Sequence, residues 1–202
     1  KGQNYHTLTV DLSSETEVPA ECTALAVVGP TTPIATGEMT IIHNYLRMGG
    51  RLLAAQDAGV ETGLNRLLNE WGINLQNDIV LEQIIEGTLT GRKGFQPTRT
   101  KVSTTLTVTS DNQAHPVVQD LSVIHPTQFQ KARSVRKTEA MEGVNVTLLF
   151  NSREQSWSEK RVDEVLSGES AILNPGDGDE PGPLPPAAAA SYTTQPAGEP
   201  LK

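Results

Sequence analysis

The feature of this sequence that most constrains its fold is the apolar run at 24–28, which ends abruptly in Gly29-Pro30. Apolar residues at helical spacing follow, with Thr36 in the position of a helix N-cap. Gly49-Gly50 then predicts the left-handed end of that helix, and a second apolar run occupies 51–56. Strand, helix and strand in this order form a parallel unit, so we predict an α/β fold whose first strand is buried on both faces.

The rest of the chain predicts shorter elements. Alternating polar and apolar residues are typical of strands at 5–12 and 144–150. An apolar stripe at i, i+3, i+4 and i+7 predicts a helix over 64–71 that ends at Gly72. The other predicted elements are a return to the sheet over 73–81, a β-rich excursion over 82–109, a short helix over 115–121 and a helix over 157–166 capped by Ser156 or Ser158.

The C-terminal region predicts the domain boundary. Seven of the 13 prolines lie between Pro175 and Pro200, so residues 174–186 are typical of a loop. Residues 187–192 are small and apolar, which fits either a low-complexity linker or a last strand. We predict a single α/β domain over 1–192 and a linker or disordered tail over 193–202.

Composition excludes several classes of partner and site. The net charge of −8 and pI near 5.0 argue against nucleic acid or an anionic membrane surface as the main partner. The single cysteine, Cys22, excludes an internal disulfide and a multi-cysteine zinc site. The sequence has no apolar run of the roughly 18 residues that a membrane span needs, and no signal peptide. We interpret the chain as a soluble piece of a longer protein.

No enzyme chemistry is visible in the motifs. A nucleophile elbow needs Gly-x-Ser-x-Gly or its cysteine form between a strand and a helix, and neither occurs. Cys22 precedes its strand, so no helix N-terminus would activate it. Dinucleotide and phosphate-loop motifs are absent, and the histidines lack metal-site spacing. We therefore predict no catalytic residue, no metal and no cofactor. The acidic turn of Asp177, Asp179 and Glu180 fits either a calcium loop or a solvated turn.

Polar residues follow the predicted parallel strands. In open α/β sheets, ligands gather beyond the carboxyl ends of the strands, where 29–33, 56–59 and 151–154 are expected to meet. An edge with no ligand is the alternative there. For the last two of the candidates below, the alternative is structural: an indole packed at a helix start and a carboxylate near a helix N-terminus. The candidate ligand- or partner-binding residues are Gly29, Pro30, Thr31, Thr32, Asp57, Ser152, Trp157 and Glu159.

Several segments, in this order, resemble a known family. Val27-Val-Gly-Pro-Thr-Thr-Pro33, Tyr45-Leu-Arg-Met-Gly-Gly-Arg-Leu-Leu53 and Gly63-Leu-Asn-Arg-Leu-Leu-Asn-Glu-Trp-Gly-Ile73 are similar to the gliding-motility-type (GldG-like) ABC transporter auxiliary proteins, also called the uncharacterised ABC-type transport system domain. The later segments 148–159 and 179–183 are similar to the second half of that family. The family usually has Thr-Ser where this chain has Asn151-Ser152.

The resemblance implies a fold and a role. The implied fold is a three-layer α/β sandwich with a mainly parallel sheet, flavodoxin-like or glutamine-amidotransferase-like, and similar to intraflagellar-transport-type domains. It also implies a non-enzymatic accessory or substrate-binding domain that is periplasmic or otherwise extracytoplasmic. Helices elsewhere in the protein would anchor it to the inner membrane beside an ABC permease and ATPase.

Two other function classes stay open at this point. One is a sensor domain that binds a small molecule, a glycan or another cell-surface polymer, which a ligand-specific thermal shift would support. The other is a degenerate amidotransferase- or hydrolase-like enzyme, which fast labelling of Cys22 or Ser152 by reactive probes would support.

Overall fold

The computed structural model of the protein describes residues 6–90, 94–109, 115–119, 121 and 127–192. The predicted tail at 193–202 and His125 lie outside these residues. In chain order the elements are β1 (Leu25–Val28), α1 (Thr36–Arg47), β2 (Leu52–Ala55), α2 (Leu64–Glu70), β3 (Trp71–Leu75), β4 (Ile79–Thr90), β5 (Gly94–Ser103), β6 (Thr105–Val108), β7 (Thr127–Gln130), β8 (Val135–Ala140), β9 (Val144–Leu148), β10 (Ser156–Glu159), α3 (Val162–Leu166), a 3-10 turn (Pro175–Asp177), β11 (Glu180–Pro181) and β12 (Ala188–Tyr192).

The predicted strand–helix–strand unit is confirmed. β1 and β2 pair in parallel, in register from Leu25 with Leu52 to Val28 with Ala55, and α1 connects them. The N-cap of α1 is Ala35, one residue before the prediction, and its backbone N–H donates to the Glu38 carboxylate at 2.9 Å. The helix ends as expected, because Gly49 takes the left-handed conformation with a φ of 90°.

The predicted mainly parallel three-layer sandwich is wrong. In the described part of the chain, every strand pair except β1–β2 is antiparallel, and the protein is rich in strands. The sheets have the strand orders β1-β2, β11-β10-β4-β5, β12-β9, β3-β8 and β6-β7. Parallel pairing needs a long crossover, usually a helix. Of the described helices, α2 has seven residues and α3 five, against 12 in α1.

Burial of the first strand on both faces is also wrong. In β1 and β2, alternate residues are exposed, and the exposed fractions of Val28 and Leu53 reach 66% and 62%. The inward face packs on α1 and α2 through Leu25, Val27 and Leu52. The parallel pair is therefore covered on one face only by the described residues.

The helix predicted over 157–166 is wrong in its first half. Residues 156–159 form β10, which pairs with β4 on one side and β11 on the other. All four residues are buried, although three of them are polar, so the sequence pattern did not predict a strand here. The helix α3 begins only at Val162.

Other predicted elements have mixed outcomes. Residues 6–11 form no strand, residues 73–81 divide between β3 and β4, and 116–119 form a turn instead of a helix. The β-rich excursion predicted over 82–109 is confirmed and contains most of the β4–β5 hairpin, and β9 is confirmed within 144–150. The last strand is confirmed as β12, which pairs with β9.

The core consists of three clusters of buried apolar residues. One contains residues of β4 and β6, of the segment that follows β9 and of the segment before β12, and a second joins α1 to α2. The third connects the loop after β2 to β4, β10 and α3. Its buried members are Ala58, Ile79, Leu81, Trp157, Val162 and Ala171.

Candidate functional site

The carboxyl edge of the parallel pair carries five of the predicted site residues. The Gly29 N–H donates to the Ala55 carbonyl at 2.8 Å, which keeps the two strand ends together. Gly29 has a φ of 61°, so the chain turns sharply where β1 ends. Thr31, Thr32 and Asp57 are exposed and Pro30 is half-buried. The structure thus brings these residues to one edge, and their role in binding stays a prediction.

The loop after β2 is fixed by its own side chains. Gln56 donates from Nε2 to the Val60 carbonyl at 2.6 Å and accepts a hydrogen bond from the Thr62 hydroxyl. The Ile34 N–H donates to the Thr62 carbonyl at 3.0 Å, which ties this loop to the one after β1. Both loops of the carboxyl edge are therefore preformed.

Arg133 also holds the loop after β2. Its side chain is only 3% exposed, and Nε donates to the Gln76 carbonyl at 2.6 Å. Nη1 donates to the Val60 carbonyl at 3.1 Å, and Nη2 pairs with Glu61 at 2.8 Å. Sequence reasoning missed this residue. Its immediate neighbours Ala132 and Ser134 are small, but it lies in a basic stretch with Lys131, Arg136 and Lys137, so no local signal marked it as buried.

Trp157 reaches the loop from β10. Its indole is 5% exposed and packs in the cluster that contains Ala58 and Val162. Its Nε1 has no hydrogen-bond partner among the described residues. The structure thus joins Trp157 to the loop that carries Asp57, by apolar packing below the surface.

Glu159 has the position expected for a structural role, that of a carboxylate near a helix N-terminus. The side chain is fully buried, and Oε1 accepts hydrogen bonds from the backbone N–H and Nε of Arg161, both at 3.1 Å. Arg161 is the N-cap of α3, so this carboxylate lies at the start of that helix. The hydrogen bond to Glu159 raises the pKa of the Arg161 guanidinium above its ordinary value.

Ser152 is not at the carboxyl edge of β1 and β2. It is buried, and its hydroxyl accepts from the Leu184 N–H at 2.8 Å and lies 2.6 Å from the Ser156 hydroxyl. The preceding strand, β9, pairs with β12 in a separate sheet. The segment 151–154 therefore does not join the two loops of the edge.

The acidic turn of Asp177, Asp179 and Glu180 is held by hydrogen bonds and an ion pair to other segments. Asp179 is buried, and its two carboxylate oxygens accept from the backbone N–H groups of Lys160 at 3.0 Å and Asn174 at 2.9 Å. Glu180 pairs with Arg136. Over the described ranges, no group of three or more His, Cys, Asp or Glu side chains is arranged to hold a metal ion. Within the same ranges, no helix has the length and apolar character of a bilayer-spanning segment.

Comparison with known proteins gives a family and a structural likeness. A family described as an ABC-type uncharacterized transport system matches residues 1–199. No curated protein matches the chain. A solved structure described as the mmIFT52 N-terminal domain is similar over 66% of this chain, with 14% identity and a TM-score of 0.44. The match spans about half of that structure, 54% of its length.

Proposed function

This chain belongs to the family of ABC-type uncharacterized transport systems, and on that premise we propose that it binds a transporter subunit through the carboxyl edge of β1 and β2. The partners we propose are the ABC permease and ATPase, and the role is non-enzymatic. The gliding-motility subtype, the extracytoplasmic location and the anchoring to the inner membrane are parts of the same proposal.

The observation that carries the proposal is the preformed polar edge. Asp57 is exposed on the loop that Arg133 and Gln56 hold in place, and Thr31 and Thr32 are exposed on the loop that the Ile34–Thr62 hydrogen bond ties to it. Loops that are already ordered lose little conformational entropy when a partner binds, so their hydroxyl and carboxylate groups can contribute to affinity. Such an edge suits the recognition of a protein loop.

The surroundings of Ser152 and Cys22 give little support to the enzyme alternative. The Ser152 hydroxyl is buried and bonded to the Leu184 N–H, and Cys22 donates from Sγ to the Ala24 carbonyl at 3.3 Å. A reactive nucleophile would instead need an adjacent base and access to substrate. Fast stoichiometric labelling of either residue in the folded protein would revive this alternative.

The test is binding to the transporter subunits. We would co-express the permease and ATPase of the ABC system from the same source, purify them in detergent and measure the Kd by biolayer interferometry. The variant T31A/T32A/D57N should bind about tenfold or more weakly, a loss of about 1.4 kcal/mol. These three side chains make no hydrogen bond within the described part of the chain, so their removal should leave the fold intact.

The matched control alters exposed residues of the same types elsewhere. T16A/E21Q/T23A changes three side chains near the other end of α1 and should bind like the wild type. Equal binding by both triple variants would contradict the proposed edge. Absence of any binding by the folded wild-type chain would contradict the proposed function itself.

A further inference from the structure

We propose that two copies of this chain associate by antiparallel pairing of their β1 strands, an inference that does not depend on the proposed function. Among the described residues, β1 pairs only with β2 and no third strand joins them, so the far side of β1 is an open edge. Unpaired backbone groups along such an edge are a template for another strand. The β1 strand of a second copy is the occupant that fits this edge.

The backbone groups of Ala26 and Val28 point to the open edge. The N–H groups of Leu25 and Gly29 donate, both at 2.8 Å, to carbonyls at the two ends of β2. Backbone polar groups alternate between the two sides of a strand, so those of Ala26 and Val28 are directed away from β2. Each of these two residues therefore presents one N–H donor and one C=O acceptor along the open edge.

This pattern of donors and acceptors is self-complementary. With a two-fold axis at Val27, Ala26 lies opposite Val28 of the second copy, and Val28 lies opposite its Ala26. In an antiparallel ladder, such opposite residues exchange both of their N–H···O bonds. The two Val27 residues form the pair between them, which has no hydrogen bonds. The contact is closed, because both copies use the same edge and β1 has no open side left.

The side chains agree with this register. Opposite residues of an antiparallel pair project from the same face of the sheet. Ala26 and Val28 are exposed, and so are their β2 neighbours Leu53 and Ala55. Val27 is half-buried and packs on the opposite face, against the cluster that joins α1 to α2. Pairing therefore makes one sheet in the order β2-β1-β1-β2, with a continuous apolar outer face and the helices of both copies on the inner face.

Charge favours a second copy as the occupant. The chain has a net charge of −8, which opposes contact between two copies wherever acidic surfaces meet. Residues 22–37 contain no charged residue, so pairing along β1 brings no like charges into the ladder, and a charged partner segment would gain no ion pair there. The charged side chains nearest to the two strands lie beyond the strand ends, at Glu21, Glu38, Arg51, Asp57 and Lys131.

The strand β5 shows the contrast with a protected edge. It is the last strand of the four-stranded sheet, and it carries Pro97, Arg99 and Lys101. Proline and charged residues on an edge strand prevent pairing between sheets. The sequence of β1, Leu-Ala-Val-Val, contains neither. Its ladder is only four residues long, because the left-handed Gly29 ends the strand, so the dimer is a weak one.

Sedimentation equilibrium of the whole chain measures the association. The apparent mass should rise above 21.7 kDa as the concentration increases from about 10 µM to about 1 mM. Ala26→Pro removes an N–H from the open edge and spares the bonds to β2, so it should raise the Kd at least about tenfold. The matched control is Ala54→Pro, which makes the same change on the far side of β2 and should dimerise like the wild type.

A cross-link tests the register without a proline. In the proposed pair, the two Val27 Cα atoms lie about 4.5 Å apart, a separation that a disulfide spans. Oxidation of C22S/V27C by copper phenanthroline should give a covalent dimer. The control C22S/A54C, with its cysteine at a half-buried position of β2, should stay uncross-linked.

The outcomes keep this inference separate from the proposed function. T31A/T32A/D57N should dimerise like the wild type, because its changes lie outside β1. A folded wild-type chain that stays at 21.7 kDa at every concentration would overturn the inference. So would equal effects of the two proline variants, or a dimer that C22S/V27C does not cross-link. Binding of the transporter by a monomeric chain through β1 would overturn it and leave the proposed function standing.

Discussion

At the scale of single residues, Arg133 determines the geometry of the carboxyl edge. Its buried guanidinium bonds the carbonyls of Val60 and Gln76. R133A would remove the side-chain donor of the Gln76 carbonyl and leave the Val60 carbonyl with Gln56 alone, so we expect the free energy of unfolding to fall by about 2–4 kcal/mol. Urea unfolding measures this change. R133K should recover only part of it, because an ammonium group cannot reproduce the planar fork of a guanidinium.

The control for Arg133 is an arginine with no such role. Arg66 is exposed on α2, and R66A should change the free energy of unfolding by less than about 0.5 kcal/mol. Similar losses in R66A and R133A would show that the guanidinium does not hold the loop.

Glu86 gives a prediction about pH. Its carboxylate pairs with Arg99 and with Lys101 across the β4–β5 hairpin. The hydrogen bond from Arg99, followed by the one from Lys101, lowers the pKa of Glu86 from 4.5 to about 2. Because the folded pKa lies below the unfolded one, the stabilisation is complete above about pH 4.5 and is lost as the pH falls towards 2.

A carboxyl 13C NMR titration of Glu86 checks this. R99A should raise the titration midpoint more than K101A does, because the Arg99 bond has the larger effect. A wild-type midpoint near 4.5 would show that the pairs do not persist in solution.

At the scale of elements, Gly72 allows α2 to pass directly into β3. Its φ is 76°, and a Cβ there would lie 2.7 Å from Cβ of Ala140 and 2.8 Å from Cγ2 of Val146. We expect G72A to lower the free energy of unfolding by about 2–4 kcal/mol, through left-handed strain and overpacking. G37A, in α1 with nothing within 4 Å, should instead be neutral or stabilise by up to about 1 kcal/mol. Thermal unfolding of the two variants tests this expectation, and a loss of stability in both would contradict it.

The predictability of each element follows from where its information lies. The ends of α1 depend on Glu38 and Gly49, which act within a few residues, and they were predictable. The strand β10 depends on β4 and β11, so the local pattern was mistaken for a helix. Likewise Thr31 and Asp57 share an edge through one local unit, whereas Arg133 reaches Val60 across 73 residues.

At the scale of the whole molecule, a mainly parallel fold was predicted from a single parallel unit, and that prediction was wrong. The apolar runs of β1 and β2 suggested burial on both faces, yet Val28 and Leu53 are exposed. After α2, no helix in the described part of the chain is long enough for a further crossover, and the strands there pair antiparallel, either in the β4–β5 hairpin or over long separations, as β3 pairs with β8 and β9 with β12. The lengths of the predicted helices, more than their number, distinguish this fold from a parallel one.

The same division of the molecule predicts unequal stability. The unit from β1 to α2 has its own small cluster, in which only Ile42, Leu46 and Leu67 are buried. Its links to the β-rich part include Arg133 and the hydrogen bond from the Ala58 N–H to the Lys131 carbonyl at 2.9 Å. We therefore expect the unit to open without global unfolding.

Hydrogen exchange followed by mass spectrometry tests this expectation. Peptides from α1 and β2 should exchange at least about tenfold faster than peptides from β4 and β10, which corresponds to about 1.4 kcal/mol in opening free energy. R133A should widen the gap, because it removes a link between the two parts and leaves the apolar cluster of β4 and β10 unchanged. If all peptides exchanged together in the wild type and in R133A, the chain would unfold as one cooperative unit. The preformed edge would then owe its rigidity to the whole fold instead of to Arg133.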